Sequence, residues 1–265
     1  MLDKSKIAIV STVANFELYQ KTSCYFPKHI QKYVIDGRNG MHGISSINYM
    51  MQKLKNKGIE WLVMADEDVI FYDSELVFSI IDYMKKNNVT ICGARDGGVI
   101  THRDKNPFLI NTFFSIMKFD DVLNIWNKKE MLKHQHLISN EFDDNLQELT
   151  QSFDINSLYE PYYCFYLWLR RNGKKFLFLD VEMDNDGITN YLKFNNIPFL
   201  CHTWYARAYG NSKKHTDRIN KQLKKQHGKL VDKLYSKPTI FKDKTFYFIK
   251  TFNKYCKRIQ MKLNK

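Results

Sequence analysis

Short apolar runs alternate along this chain with segments of helical period. Ile7-Ala8-Ile9-Val10 reads as a buried strand, and Lys32-Tyr33-Val34-Ile35 as a second, stopped by Asp36-Gly37-Arg38-Asn39-Gly40. Ile44, Ile47, Met50, Met51 and Leu54 recur at helical spacing, and Asn56-Lys57-Gly58 closes that helix. Trp61-Leu62-Val63-Met64-Ala65 is a third strand. Asp73-Ser74-Glu75 opens a helix through Leu76, Phe78, Ile80, Ile81 and Met84, and Val89 to Ala94 is a further strand. Strands alternating with helices predict an α/β fold: one Rossmann-like, mostly parallel sheet with helices on both faces.

The second half is less regular. Pro107 to Met117, with Phe108, Leu109, Ile110, Phe113 and Phe114, is expected to cross the sheet or to line a cleft, and residues 118–156 to form helices and loops without a firm period. Pro161 suits a first helical turn, so Tyr162 to Arg171 is predicted as a helix ended by Asn172-Gly173. Lys175 to Asp180 and Ile197 to Cys201 are predicted strands. Between them Asp184-Asn185-Asp186-Gly187 is a turn; it lacks the acid spacing and terminal Glu of a calcium loop. Ile219, Leu223, Leu230, Val231 and Leu234 mark residues 216–235 as an amphipathic helix. Phe248, Phe252, Tyr255, Ile259 and Leu263 do the same for residues 246–263, with Pro238 between. Both helices are expected outside the main domain.

Charge divides the chain in the same place. The net charge is +13, yet residues 1–203 carry 23 Lys+Arg against 25 Asp+Glu, and residues 204–265 carry 18 against 3. A basic segment of this kind suits nucleic acid, anionic lipid or an acidic protein. Its aromatics fall on an apolar stripe instead of being scattered as stacking platforms, which favours an anionic membrane surface over nucleic acid; packing on the domain or in a homo-oligomer is the plainer reading. The five cysteines form no close pair and fit a reducing, cytoplasmic setting. The N-terminus has no apolar segment of the secretion-signal type, and no uninterrupted apolar run approaches the ~18 residues of a spanning helix.

The chemistry concentrates after the third strand, where Asp66-Glu67-Asp68 precedes Val69-Ile70-Phe71. The plain reading is a strand end with solvated acids. The functional one starts from the cost of burying carboxylates unpaired. At a sheet's C-terminal edge, acids at i and i+2 point the same way, and hard oxygen ligands suit Mg²⁺ or Mn²⁺ carrying phosphates.

The order of the first strand, Asp36 after the second, a helix, and then Asp66-Glu67-Asp68 resembles the nucleotide-sugar glycosyltransferases of the type A fold. It is most similar to the large family 2 group of bacterial inverting enzymes. The resemblance covers residues 6–96 well and 105–205 loosely, and implies a catalytic domain over 1–210 followed by a basic helical tail, 211–265. Within that domain, 1–100 would bind nucleotide and metal and 101–210 the acceptor. It further implies that Ser11, Thr12 and Asp36 bracket the nucleoside base, that Asp66 and Asp68 hold the metal and diphosphate, and that a late histidine, here His202, completes the metal site. Arg207 and Lys213 would reach the diphosphate, Arg38 would either meet it or simply face solvent, and Asp96 would hold the donor-sugar hydroxyls.

An inverting transfer also needs a base away from the metal-bound carboxylates. The resemblance puts it at a helix start, matching Glu160 before Pro161, with Asp154 in reserve; as an alternative, Glu160 is simply a favourable acid at a helix N-terminus. The activity implied is Mn²⁺- or Mg²⁺-dependent transfer from a nucleotide-sugar, UDP-linked above all, to a glycan or lipid-linked acceptor in surface polysaccharide or lipooligosaccharide synthesis at the inner membrane face. Asp36-Gly37-Arg38-Asn39-Gly40 departs from the family's usual acid-acid-Gly-Ser, which leaves the base open. A nucleotidyltransferase is the nearest other enzyme, but Ser11-Thr12-Val13-Ala14-Asn15 lacks its Gly-rich phosphate loop.

Overall fold

In the computed structural model, which describes residues 2–100, 105–149, 151–227 and 237–263, the apolar runs become the strands of one ten-stranded sheet. The elements are, in chain order, β1 (Ile7–Val13), α1 (Phe16–Thr22), β2 (Gln31–Asp36), α2 (Ile44–Leu54), β3 (Trp61–Ala65), β4 (Val69–Phe71), α3 (Leu76–Lys86) and β5 (Ile91–Arg95). There follow β6 (Ile110–Lys118), α4 (Phe119–Ile125), α5 (Lys128–Met131), α6 (Tyr163–Arg171), β7 (Phe176–Met183), β8 (Asn190–Phe194), β9 (Ile197–His202), α7 (Lys213–His227), β10 (Thr239–Phe241) and α8 (Phe246–Leu263).

The sheet order is β10-β2-β1-β3-β6-β5-β7-β8-β9-β4. Strand β1 shows why its sequence is continuously apolar: Ile7, Ile9 and Val13 enter one core, with α3 and Tyr19 of α1, while Ala8 and Val10 enter the other, with α2, α4 and α6. A strand covered on both faces has no solvent side to mark with polar residues. From β10 to β7 all strands run the same way except β6, which pairs antiparallel with both β3 and β5. The Pro107–Met117 stretch therefore resolves as a central strand, with Leu109 and Ile110 in one core and Phe113 and Phe114 in the other.

Between α5 and α6 the described residues form no helix or strand. This long segment is held by two half-buried ion pairs from α6, Arg170 Nη2 to Asp144 Oδ2 and Arg171 Nε to Glu141 Oε1, each 2.5 Å. The basic C-terminal region is joined to the domain: Ile219 and Leu223 of α7 are buried with Leu18, Ile70, Cys201 and Tyr209. Strand β10 adds to β2, and the rings of Phe241 and Tyr33 stack at 5.6 Å. Leu230, Val231 and Leu234 lie outside the described residues. In α8 the predicted stripe residues Phe248, Phe252 and Tyr255 are exposed, as are their neighbours Tyr247 and Ile249; the side chains of Ile259 and Leu263 lie outside the description.

Candidate active site

The acid triplet occupies the turn between β3 and β4, at the C-terminal edge of the parallel strands. Two strands fix it. The Asp66 N–H donates to the Phe113 carbonyl of β6 at 2.8 Å, and β4 pairs antiparallel with β9 so that Val69 faces His202. The N–H and Oγ1 of Thr203 both donate to the Asp68 carbonyl at 3.1 Å. That pairing carries His202 across the chain to Asp68, where Nε2 lies 3.1 Å from Oδ1. The imidazole stacks nearly parallel on Phe113, 4.1 Å away, and meets Trp204 at a tilt, 4.2 Å away. Ligand atoms of Asp66, Asp68 and His202 all fall within 4.8 Å of one another. Glu67 is committed to the fold: its Oε1 accepts from the N–H groups of Ala14 and Asn15, at 3.0 and 3.2 Å.

Two carboxylates and one imidazole, converging and largely buried, make a donor set that fits a divalent cation such as Mn²⁺ or Mg²⁺. The electrostatics point the same way. Burial raises Asp66, and the neighbouring Glu67 and Asp68 charges raise it further, while Arg207 opposes the shift. Burial and the Asp68 charge push Glu67 up to about 7. For an acid whose folded pKa lies above its ordinary value, ionisation weakens the fold. The metal-free protein is thus expected to lose stability as pH rises from the ordinary glutamate value of 4.5 toward about 7, and a cation should cancel that loss. Melting curves across this range, in EDTA and in Mn²⁺, check it: the stabilisation by Mn²⁺ should grow with pH.

The acids open into a cleft of about 550 Å³ whose lining includes Thr12, Asp66, Asp68, Glu160, His202 and Arg207. A larger groove of 680 Å³ between α1 and α7, lined by Glu17, Lys21, Asp217 and Lys221 among others, contains none of these groups. Thr12 is hydrogen-bonded to Ser46 of α2. Ser11 is fully buried in β1 and does not line the cleft.

Asp36, at the end of β2, is buried and gripped by Arg38 through two bonds, Nε to Oδ1 at 2.9 Å and Nη2 to Oδ2 at 2.7 Å. The Arg38 hydrogen bonds hold the Asp36 pKa below its ordinary value. Arg38 also lies over the Phe16 ring, 4.5 Å from its centroid.

Other expected residues fall elsewhere. Asp96 lies behind the cleft, where its carboxylate accepts from Tyr162 at 2.5 Å, from Asn111 at 2.9 Å and from Tyr163, so its hydrogen-bonding capacity serves the protein. Tyr162 itself lines the cleft. Asp154 sits on an exposed loop, accepting from the Asn156 N–H, and Lys213 is the exposed first residue of α7. Neither is part of the cleft lining.

The ring packing around His202 and the hydrogen bonds from Asn15 Nδ2 to the Ala206 and Tyr209 carbonyls are the parts that sequence reasoning missed. Trp204, two residues after the histidine, was the available signal for the first. The second rests on contacts between residues about 190 apart, 191 to Ala206 and 194 to Tyr209, which no local pattern reveals.

Fold and site together define an α/β domain with a carboxylate–imidazole cluster, of a chemistry that suits a cation, at the C-terminal edge of its sheet. No protein-family model and no curated protein matches the sequence. The solved structures with a partly similar chain path include glycosyltransferases. One acts in glycosylation of the major capsid of PBCV-1: 15% identity, 83% of this chain, 98% of that one, TM-score 0.47. Mouse xyloside xylosyltransferase 1 matches at 9% identity over 66% of this chain and 85% of its own, TM-score 0.38. The Pyrobaculum calidifontis mannosyltransferase PcManGT, solved with GDP-Man and Mn²⁺, matches at 7% identity over 46% of this chain and 47% of its own, TM-score 0.28.

Proposed function

We propose that the protein is a metal-dependent glycosyltransferase that moves a sugar, with inversion, from a nucleotide-sugar to a hydroxyl of a glycan or lipid-linked acceptor. The observation that carries this reading is the gathering of Asp66, Asp68 and His202 into one cleft with Thr12, Glu160 and Arg207. In this reading the two aspartates and the imidazole hold Mn²⁺ or Mg²⁺, which when bound supplies positive charge to a departing diphosphate. Arg207 contacts the same diphosphate. Thr12 and Gly37, the cleft-lining neighbour of the buried Asp36, receive the nucleoside, for which a uridine is the expected base, and Glu160 takes the acceptor proton. A screen of UDP-, GDP- and CMP-sugars for thermal stabilisation in Mn²⁺ tests this. Stabilisation by one donor supports it; indifference to all of them would end it.

The acceptor side adds a surface. Helix α8 carries five basic residues, Lys250, Lys254, Lys257, Arg258 and Lys262, and no acid, beside its exposed aromatic residues. No helix among the described residues is long and apolar enough to cross a membrane. An amphipathic basic helix of this kind suits the surface of an anionic bilayer, on which a lipid-linked acceptor would be met. Helix α8 also abuts the cleft mouth, since Lys250 Nζ donates to the Gly40 carbonyl at 3.0 Å, one residue before the cleft-lining Met41. Phosphatidylcholine vesicles containing phosphatidylglycerol should sediment the protein, and the Phe248→Asp/Phe252→Asp variant should stay in solution. Equal sedimentation of both would reject the surface.

A further inference from the structure

We infer that Asn15 is a positioning residue that fixes Arg207 against the carboxylate cluster. The inference rests on the reading of Arg207 as a diphosphate contact. Arg207 sits on a short turn, Ala206 to Ala208, which the chain enters through two consecutive non-glycine residues in the left-handed region, Trp204 at φ 58° and Tyr205 at φ 62°. Such a backbone persists only where its surroundings enforce it. The side chain of Asn15, next to the cleft-lining Ala14, does so. Its Nδ2 donates both hydrogens to this turn, to the carbonyls of Ala206 at 3.0 Å and Tyr209 at 2.9 Å, one on each side of Arg207.

The rest of Asn15 is tied to the acids. Its N–H donates to Glu67 Oε1 at 3.2 Å, next to the Ala14 N–H at 3.0 Å, and its Oδ1 caps α1 by accepting from the Leu18 N–H at 3.1 Å. Glu67 stands between the two aspartates of the cation site. One residue therefore links the cluster, through its backbone N–H, to the turn that carries the cationic side chain, through its side-chain amide. Arg218 holds the same turn from behind, Nη2 to the Trp204 carbonyl at 3.1 Å.

Asn15→Ser separates the two roles of the side chain. Serine keeps an N-cap acceptor for α1 and loses both donors to the turn; Asn15→Asp, equally good as a cap, is the second variant should the serine form fold poorly. The measurements are melting temperature, Mn²⁺ affinity, and calorimetric affinity for UDP and GDP in Mn²⁺, on wild type, Asn15→Ser, Arg207→Ala and the double variant. The expected result is melting and Mn²⁺ binding close to wild type, a loss of about tenfold in nucleoside diphosphate affinity for each single variant, and no further loss in the double variant. Additive losses, or a weakened Arg207→Ala beside an unaffected Asn15→Ser, would overturn the inference and leave the function standing. An unaffected Arg207→Ala would instead remove the reading of Arg207 on which it depends.

Discussion

Replacing Asp68 by Asn is expected to abolish the stabilisation of the protein by its nucleotide-sugar in Mn²⁺ and to lower turnover by about 10³-fold, equivalent to ~4 kcal/mol of lost transition-state stabilisation. The change is nearly isosteric. It removes one anionic group from the three described side chains that would hold the cation, and an amide oxygen is a poor substitute toward a divalent cation. The same substitution should not unfold the protein. Asp68 is 3% exposed and adds its charge to those that raise Asp66 and Glu67, so its neutralisation relieves repulsion in the metal-free state. Melting in EDTA at or above the wild-type temperature, together with lost donor response in Mn²⁺, is the expected pair of results. Undiminished donor binding in Asp68→Asn would remove the carboxylates from the function altogether.

Glu160→Gln is expected to act on a different quantity. A general base contributes about 10²–10⁴-fold to a reaction of this type, so kcat should fall by that factor while the KM for donor changes little. Glu160 lies in the turn that leads into α6, where its carbonyl accepts from the Tyr163 N–H at 3.0 Å, and its loss as an acid near that helix start should cost no more than about 1 kcal/mol of stability. A large kinetic effect with a small shift in melting would separate the two roles of the residue. Asp154→Asn, outside the cleft lining, should leave kcat unchanged. A Glu160→Gln enzyme with full turnover would place the base elsewhere.

What could be read from the sequence was whatever depends on a local pattern. The strands β1 to β3, β5 and β7, and helices α2, α3 and α6, announce themselves because a run of apolar residues or a helical period needs no distant partner to be seen. The turn of Asp66, Glu67 and Asp68 was legible for the same reason. What stayed hidden depends on pairing. Val69-Ile70-Phe71 is too short a run to announce itself as a strand, and its partner, β9, lies about 130 residues on (Ile70 to Cys201). Its register is what delivers His202 to Asp68. Strand β8, Asn190 to Phe194, is half polar, and β10 has only three residues, so neither has an apolar run of its own. The fate of Asp96 was equally illegible, because nothing in Arg95-Asp96-Gly97 announces that two tyrosines some 66 and 67 residues away will claim its oxygens.

The seating of β10 on β2 changes what the basic end of the chain is for. A sheet's outermost strand offers unpaired N–H and C=O groups to any other extended chain. Residues 239–241 cover that side of β2 and lay Phe241 over Tyr33. Trimming the chain after α7 to improve crystallisation or solubility would therefore bare a sticky border, and the shortened protein would be the more prone to aggregate.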